Sequence, residues 1–249
     1  MSTKSKVLFL DIETSPNLAY VWGKWQQDVI AYKEEWQILS YAYKWQGTAK
    51  IGCTSQRTFR SISDKDVVKS LWKLLNQADI VIAHNGDVFD LKKANARFLF
   101  YNLPPTRKYA SVDTLKIARK YFKFNSNKLN DLGEHLGLGS KLKHQGFAMW
   151  LGCMSGEAKS WDLMEKYNMQ DVSLLEKVYL RLLPWAERHP NIALIEGVPG
   201  GCNKCGSSLL TRDGFNYTAT VKKQVWACSK CGGHQLTSYK VPVSKRRLS

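Results

Sequence analysis

Lys6-Val7-Leu8-Phe9-Leu10-Asp11-Ile12-Glu13-Thr14 decides how this chain folds. Val7 to Leu10 is an unbroken apolar run of the kind shown by a strand buried on both faces. The alternation that follows puts Asp11 and Glu13 on one face and turns Ile12 into the core. Two carboxylates roughly 7 Å apart on one strand face repel each other and lose solvation unless a cation lies between them. With oxygen ligands only, the cation they ask for is a hard metal. The same residues also read as a strand end fraying into an ordinary Thr14-Ser15-Pro16 turn, and this stretch alone leaves both readings open.

Outward from it, residues 15–35 are rich in Trp, Tyr and Gln without periodicity, and read as a long loop or ragged hairpin. Trp22 and Trp25 within it are expected to fold back onto the sheet, stacking on unpaired bases being the alternative. Residues 36–45 and 48–54 read as strands around the joint Gln46-Gly47, which makes an antiparallel meander with the first strand. From Asp64 the period changes to that of a helix, with Val67, Val68, Leu71, Trp72, Leu74 and Leu75 on one face behind Ser63 or Asp64 as N-cap. Ile80-Val-Ile-Ala83 is a short buried strand. It runs into His84-Asn85-Gly86-Asp87-Val88-Phe89-Asp90 and a helix over 88–101, stopped by Leu103-Pro104-Pro105. Asp90 then stands at the carboxyl edge of the sheet near the positive end of a helix dipole, while Asp87 is the better candidate for the cap.

A strand over 108–112 leads to Asp113, read as the cap of a helix over 114–121 rather than as a catalytic acid. Residues 127–136 form another helix, and the basic loop 138–144 either faces phosphates or is a solvated turn. His135 and His144 have no ligand spacing and read as surface or packing residues. Two helical stretches, 157–167 and 169–183, end at Pro184. Tyr167 and Asp171 lie one helical turn apart on one face, where a phenol beside a metal-ligating acid can hold an attacking water.

Composition is that of a globular protein, and 249 residues allow one core of some 150 to 200 residues plus a small addition. No apolar run approaches a membrane span and no signal core follows Met1, so no membrane partner and a cytoplasmic location are expected, the host cytoplasm if the gene is viral. The net charge of +16 is shared: 28 basic against 19 acidic residues over 1–190, and 9 against 2 over 191–249. A field of that sign attracts polyanions, nucleic acid first among them.

Asp11-x-Glu13 on the first strand, Asp90 after His84-Asn85-Gly86, and Tyr167-x-x-x-Asp171 near the end of the domain together resemble the three motifs of the DEDD superfamily of 3′-to-5′ exonucleases. Tyr167 points to the DEDDy branch, since the histidine branch would want a histidine at the position of Lys166. The chain is similar over roughly residues 5–185 to the exonuclease domain of family B DNA polymerases, although no polymerase domain follows. The resemblance implies an α/β fold: an RNase H-like mixed five-stranded sheet flanked by helices. It implies that Asp11, Glu13, Asp90 and Asp171 bind two Mg²⁺ or Mn²⁺ ions and that Tyr167 orients the water. It also implies that nucleotides leave one at a time from a 3′ end, of DNA rather than RNA, and a single strand. Thr14, Asn85 and Phe89 are candidate substrate contacts, and a polymerase or repair protein is a candidate partner. An exoribonuclease and a non-catalytic nucleic-acid-binding or docking protein are the alternatives.

Residues 189–200 read as a Pro- and Gly-containing linker between an exonuclease domain, 1–188, and a second domain, 201–249. Cys202-Asn-Lys-Cys205 and Cys228-Ser-Lys-Cys231, with strand-like 215–220 and 221–227 between them, are the pattern of a zinc ribbon with one structural Zn²⁺. Disulfides are the alternative for these cysteines. Cys53 and Cys153 lack partners at ligand spacing. Lys222, Lys223, Lys230 and the tail Lys245-Arg246-Arg247 suit the ribbon to holding DNA or RNA, with protein docking left open.

Overall fold

The computed structural model describes residues 4–25, 28–60, 62–142 and 146–236, so His144 and the tail Lys245-Arg246-Arg247 lie outside the described residues. The chain divides into two compact units, Lys6–Val178 and a second built from residue 179 onward together with Lys4 and Ser5.

In the first unit β1 (Val7–Thr14) leads through a small hairpin, β2 (Leu18–Tyr20) and β3 (Ala31–Glu34), to β4 (Ile38–Trp45) and β5 (Ile51–Ser55). The short α1 (Gln56–Phe59) and α2 (Lys65–Leu75) follow, then β6 (Ile80–Ala83), α3 (Asp90–Phe100), β7 (Ala110–Asp113) and α4 (Thr114–Tyr121). The unit is completed by α5 (Leu129–His135), α6 (Phe147–Met154) and α7 (Ala158–Leu182), whose last turn belongs to the second unit. The five-stranded sheet has the order β5-β4-β1-β6-β7. β1, β4 and β5 form the antiparallel meander, and β6 and β7 extend it in parallel.

β1 is central because its apolar run can be buried on both sides. Leu8, Leu10 and Ile12 enter one core with Val67, Leu71 and Leu75 of α2 and Ala94 and Phe98 of α3. Each of these side chains larger than alanine contributes about 1.5–3 kcal/mol by leaving water. β1 pairs with β6 only over Val7–Phe9, but with β4 as far as Thr14. The segment carrying Asp11 and Glu13 therefore runs on past the parallel pairing, at the open edge where a sheet of this kind presents its strand ends.

Several boundaries differ from the sequence reading for local reasons. β4 begins at Ile38 rather than Trp36, because the N–H groups of Trp36 and Gln37 donate to Asn17 Oδ1 (2.8 Å) and Ser15 Oγ (2.9 Å) instead of to a strand. Asp64 stands before α2, yet its carboxylate turns inward to accept from Ile38 N–H at 2.9 Å and to pair with Arg97. Ser63 Oγ accepts the Lys65 N–H in its place. Asp87 does not cap α3: the helix starts at Asp90, and Asp87 pairs with Lys116 at 2.6 Å. The two helical stretches before Pro184 are one helix, α7, and α6 occupies a segment that carried no helical expectation. Trp22 and Trp25 are not core residues, being 93% and 78% exposed on the hairpin, which is too small to bury them.

In the second unit, the stretch read as a linker carries the short α8 (Ile192–Ile195), whose cap is Asn191. β8 (Leu210–Tyr217), β9 (Lys222–Cys228) and β10 (His234–Leu236) then form a three-stranded antiparallel sheet of order β10-β9-β8. β10 was not foreseen. It extends the hairpin expected between the cysteine pairs by one strand. No helix among the described residues is long and apolar enough to cross a membrane.

Candidate active site and cysteine cluster

Asp11 and Glu13 on β1 and Asp171 on α7 converge, each offering a carboxylate oxygen within 4.8 Å of the others. Strand alternation supplies the first two; the third arrives because α7 packs its Tyr167 and Met164 face against Leu39 of β4. Asn168, one residue beyond Tyr167, locks the helix to the sheet. Its Nδ2 donates to Asp11 Oδ2 at 2.6 Å and to the Asp11 carbonyl at 3.2 Å, and its Oδ1 accepts from Ser40 Oγ at 3.0 Å. A fully buried Asn is tolerated only with its polar atoms satisfied, and here one side chain ties α7 to β1 and β4.

Asp90 stands beside this triad and outside its 4.8 Å circle. Its Oδ1 accepts the N–H of Ile12 at 2.9 Å, the residue between the two β1 acids, so Asp90 fixes the strand from which both project. Gly86, before it in the chain, is held to glycine by Ala83: a Cβ there would meet Ala83 Cβ at 2.3 Å, whereas Asp90 Oδ2 at 3.7 Å would be in ordinary contact.

Crowding shows in the proton affinities. Burial, then the charge of Asp171, lifts Asp11 from 3.8 to about 7 against the opposing pull of Lys141 and Asn168. Burial and its three acidic neighbours raise Glu13 well above the ordinary carboxylate range. Burial and Asp11 do the same to Asp90, although the Ile12 N–H opposes them. Carboxylates so placed cannot all be ionised without added positive charge.

One cation is already present. Lys141 Nζ forms an ion pair with Asp171 and lies 3.0 Å from Tyr167 Oη. Although burial opposes it, the Asp171 charge raises the affinity of Lys141 for its proton. Burial and Asp171 push the Tyr167 hydroxyl up to about 12, so it stays a neutral phenol. Lys141 stands where a metal cation would balance these acids, and the all-oxygen donor set fits a hard divalent ion.

The candidate substrate contacts separate. Thr14 lines a groove of about 390 Å³ with Ser15, Pro16, Gly146, Phe147 and Trp150, and Trp150 meets the Tyr167 ring edge-on with centroids 6.2 Å apart. Asn85 takes a left-handed conformation, φ 65°, and its N–H donates to Asp113 Oδ1 at 2.9 Å. Asp113 also caps α4 through the Leu115 N–H, as expected of it. Phe89 stands before α3, partly exposed, with Lys93 Nζ 5.8 Å from its ring centroid. His84 bonds Thr114 Oγ1 and the Asn127 carbonyl, both at 2.9 Å, a structural role.

Lys141, Asn168, Phe147 and Trp150 were not picked out in the sequence. Only Lys141 left a trace, as part of the basic loop 138–144.

In the second unit Cys202, Cys205, Cys228 and Cys231 bring their Sγ atoms within 4.8 Å of one another. The Cys202–Cys231 and Cys205–Cys228 separations are both 3.7 Å, far beyond a disulfide and close to the ~3.8 Å edge of a tetrahedral zinc–thiolate site. None of the four is in a disulfide. The two knuckles repeat one geometry. Gly206 N–H donates to the Cys202 carbonyl and Gly232 N–H to that of Cys228, each at 2.8 Å, with φ 73° and 72°. That left-handed turn favours glycine at both places. Burial raises the Cys228 thiol, but the N–H groups of Cys231 and Lys230 outweigh it and bring it down to about 7, whereas burial raises the Cys205 and Cys231 thiols, the latter to about 11.

Residues 8–183 match the RNase_H superfamily. No curated protein sequence matches the chain. Among solved structures the chain is similar to the family B DNA polymerase from the hyperthermophilic archaeon Pyrobaculum calidifontis, with a TM-score of 0.56 and 15% identity over 89% of this chain and 32% of that one. The chain thus spans about a third of that polymerase, and at this identity the likeness is one of fold.

Proposed function

The chain belongs to the RNase H superfamily, and we propose that its first unit is a divalent-metal-dependent 3′-to-5′ exonuclease that removes nucleotides from single-stranded DNA. The observation that carries this reading is the meeting of Asp11, Glu13 and Asp171, with their surplus negative charge, at the open end of β1. The order and spacing of Asp11-x-Glu13, Asp90 and Tyr167-x-x-x-Asp171 support the polarity and the DEDDy assignment.

Asp11, Glu13 and Asp171, with Asp90 alongside, would hold two Mg²⁺ or Mn²⁺ ions, whose chemistry is to acidify a water and to neutralise charge on the scissile phosphate. The protein's own groups do the rest. Asn168 holds the Asp11 carboxylate in one orientation, and Asp90 holds the backbone between the two β1 acids. Tyr167, kept neutral, orients the attacking water through Oη. Lys141, ion-paired with Asp171 here, would yield that contact to a bound metal and offer its charge to a substrate phosphate. The groove of Thr14, Phe147 and Trp150 receives the terminal base, which can stack there on an aromatic face. No covalent enzyme intermediate is required. In the second unit the four thiolates would hold one zinc ion that keeps the small sheet folded.

Single strands of DNA and RNA, labelled in separate reactions at the 5′ and the 3′ end, test the proposal in Mg²⁺ or Mn²⁺. A 5′-labelled DNA should shorten stepwise while a 3′ label is released at once as mononucleotide. Preferential shortening of RNA would make the protein an exoribonuclease. Absence of cleavage of either, with retained binding, would leave a nucleic-acid-binding protein.

A further inference from the structure

We infer that one face of the β8-β9 sheet in the second unit is a stacking platform for unpaired bases of single-stranded nucleic acid, a binding site separate from the acid cluster. Pairing register puts Tyr217 opposite Lys222, Phe215 opposite Gln224, and Arg212 opposite Trp226. Directly paired residues share a face, so three aromatic rings and two cations lie along one side of the hairpin. The irregularity between Arg212 and Phe215 preserves this arrangement: with Asp213 and Gly214 together set against Val225, one residue more than a regular ladder, Arg212 faces Trp226 while Phe215 faces Gln224.

The cations sit on the rings. Lys222 Nζ is 3.7 Å from the Phe215 centroid and 5.6 Å from that of Tyr217, and Arg212 lies 5.7 Å from Trp226. Tyr217 is 68% exposed and Phe215 40%. A small protein gains nothing in folding by leaving both rings in water. They suit a ligand with flat apolar faces joined by regularly spaced negative charges. When Lys222 swings to a phosphate it uncovers two rings whose centroids stand 6.4 Å apart, for bases to take its place. Charge points the same way. Among the described residues of the ribbon, Arg212, Lys222, Lys223 and Lys230 are exposed or partly exposed, whereas Asp213 is paired with His234 at 2.8 Å. An apolar protein partner would not need the cations, and duplex DNA would hide the base faces that the rings fit.

The full chain as purified, in buffer without Mg²⁺ or Mn²⁺, is titrated with fluorescent oligothymidylate and with a duplex of equal length, following anisotropy at several salt concentrations. Phe215→Leu and Tyr217→Leu keep apolar bulk but remove the ring, and each should weaken single-strand binding roughly 5- to 100-fold with the salt dependence unchanged. Lys222→Gln should instead flatten the salt dependence by about one counterion. Phe215→Trp should hold or tighten binding, and this variant, together with unchanged zinc content in all of them, guards against a collapsed ribbon. Unchanged affinity in the two leucine variants, or equal affinity of the native chain for the duplex, would overturn the inference. Cleavage in Mg²⁺ is scored separately, so failure of the nuclease reading leaves this result interpretable.

Discussion

Replacing Asp11 by Asn should make the protein more stable and inactive at once. Its carboxyl titrates near 7 in the folded state instead of 3.8, because burial and Asp171 disfavour its charge. The folded chain therefore binds a proton that the unfolded chain has released, and metal-free stability falls as pH rises across about 4 to 7 and stays low above. A displacement of that size corresponds to roughly 4 kcal/mol. Asp11 keeps partial solvent access, so about half of this, ~2 kcal/mol, should be read. Asparagine has the same shape, carries no charge, and keeps a carbonyl oxygen for Asn168 Nδ2. Thermal melts without added divalent cation should place Asp11→Asn ~4–8 °C above the native chain at pH 8, with the gap closing near pH 4. Adding Mn²⁺ should raise the native protein far more than the variant, because only the native set is complete. An Asp11→Asn protein less stable than native at pH 8, or a gap independent of pH, would refute the electrostatic argument.

Tyr167→Phe should retain metal binding and substrate affinity but lower the chemical rate about 10- to 1000-fold, the range one positioned group contributes; unchanged single-turnover rates would return Tyr167 to a packing role. Asn168→Leu strands the buried Ser40 hydroxyl and frees the Asp11 carboxylate, so urea unfolding should find it destabilised by about 2–4 kcal/mol, and a loss below ~1 kcal/mol would count against its bridging role. Elemental analysis should find one zinc per chain, with Cys205→Ser losing it and unfolding the second unit while the melt of the first is kept. A zinc-free native protein with a folded ribbon would contradict that assignment.

The parts of the fold legible in advance were those that leave local marks. The apolar run before Asp11, the helical period after Asp64 and the doubled Cys-x-x-Cys each report their element through spacing alone, and the sheet and the four-thiol cluster follow from them. Asn168 could not be read, because its value lies in reaching Asp11 and Ser40, distant in sequence by 157 and 128 positions. It falls between the two stretches read as separate helices, 157–167 and 169–183, where burial with full hydrogen bonding makes it the joint of a single α7. Lys141 was visible only as one more basic residue. Trp22 and Trp25 misled for the opposite reason: large aromatic residues are usually buried, but a two-stranded hairpin has no interior to receive them.

Asp11, Glu13 and Asp171 are proposed to form a metal-dependent site for breaking phosphodiester bonds. The most direct test compares native protein with Asp171→Asn, purified in parallel, on one 5′-labelled single-stranded DNA in Mg²⁺. The native chain should produce a ladder that shortens from the 3′ end and stops on removal of Mg²⁺, and Asp171→Asn, still folded, should leave the strand intact. Equal cleavage by both proteins, or no cleavage by either, would contradict it.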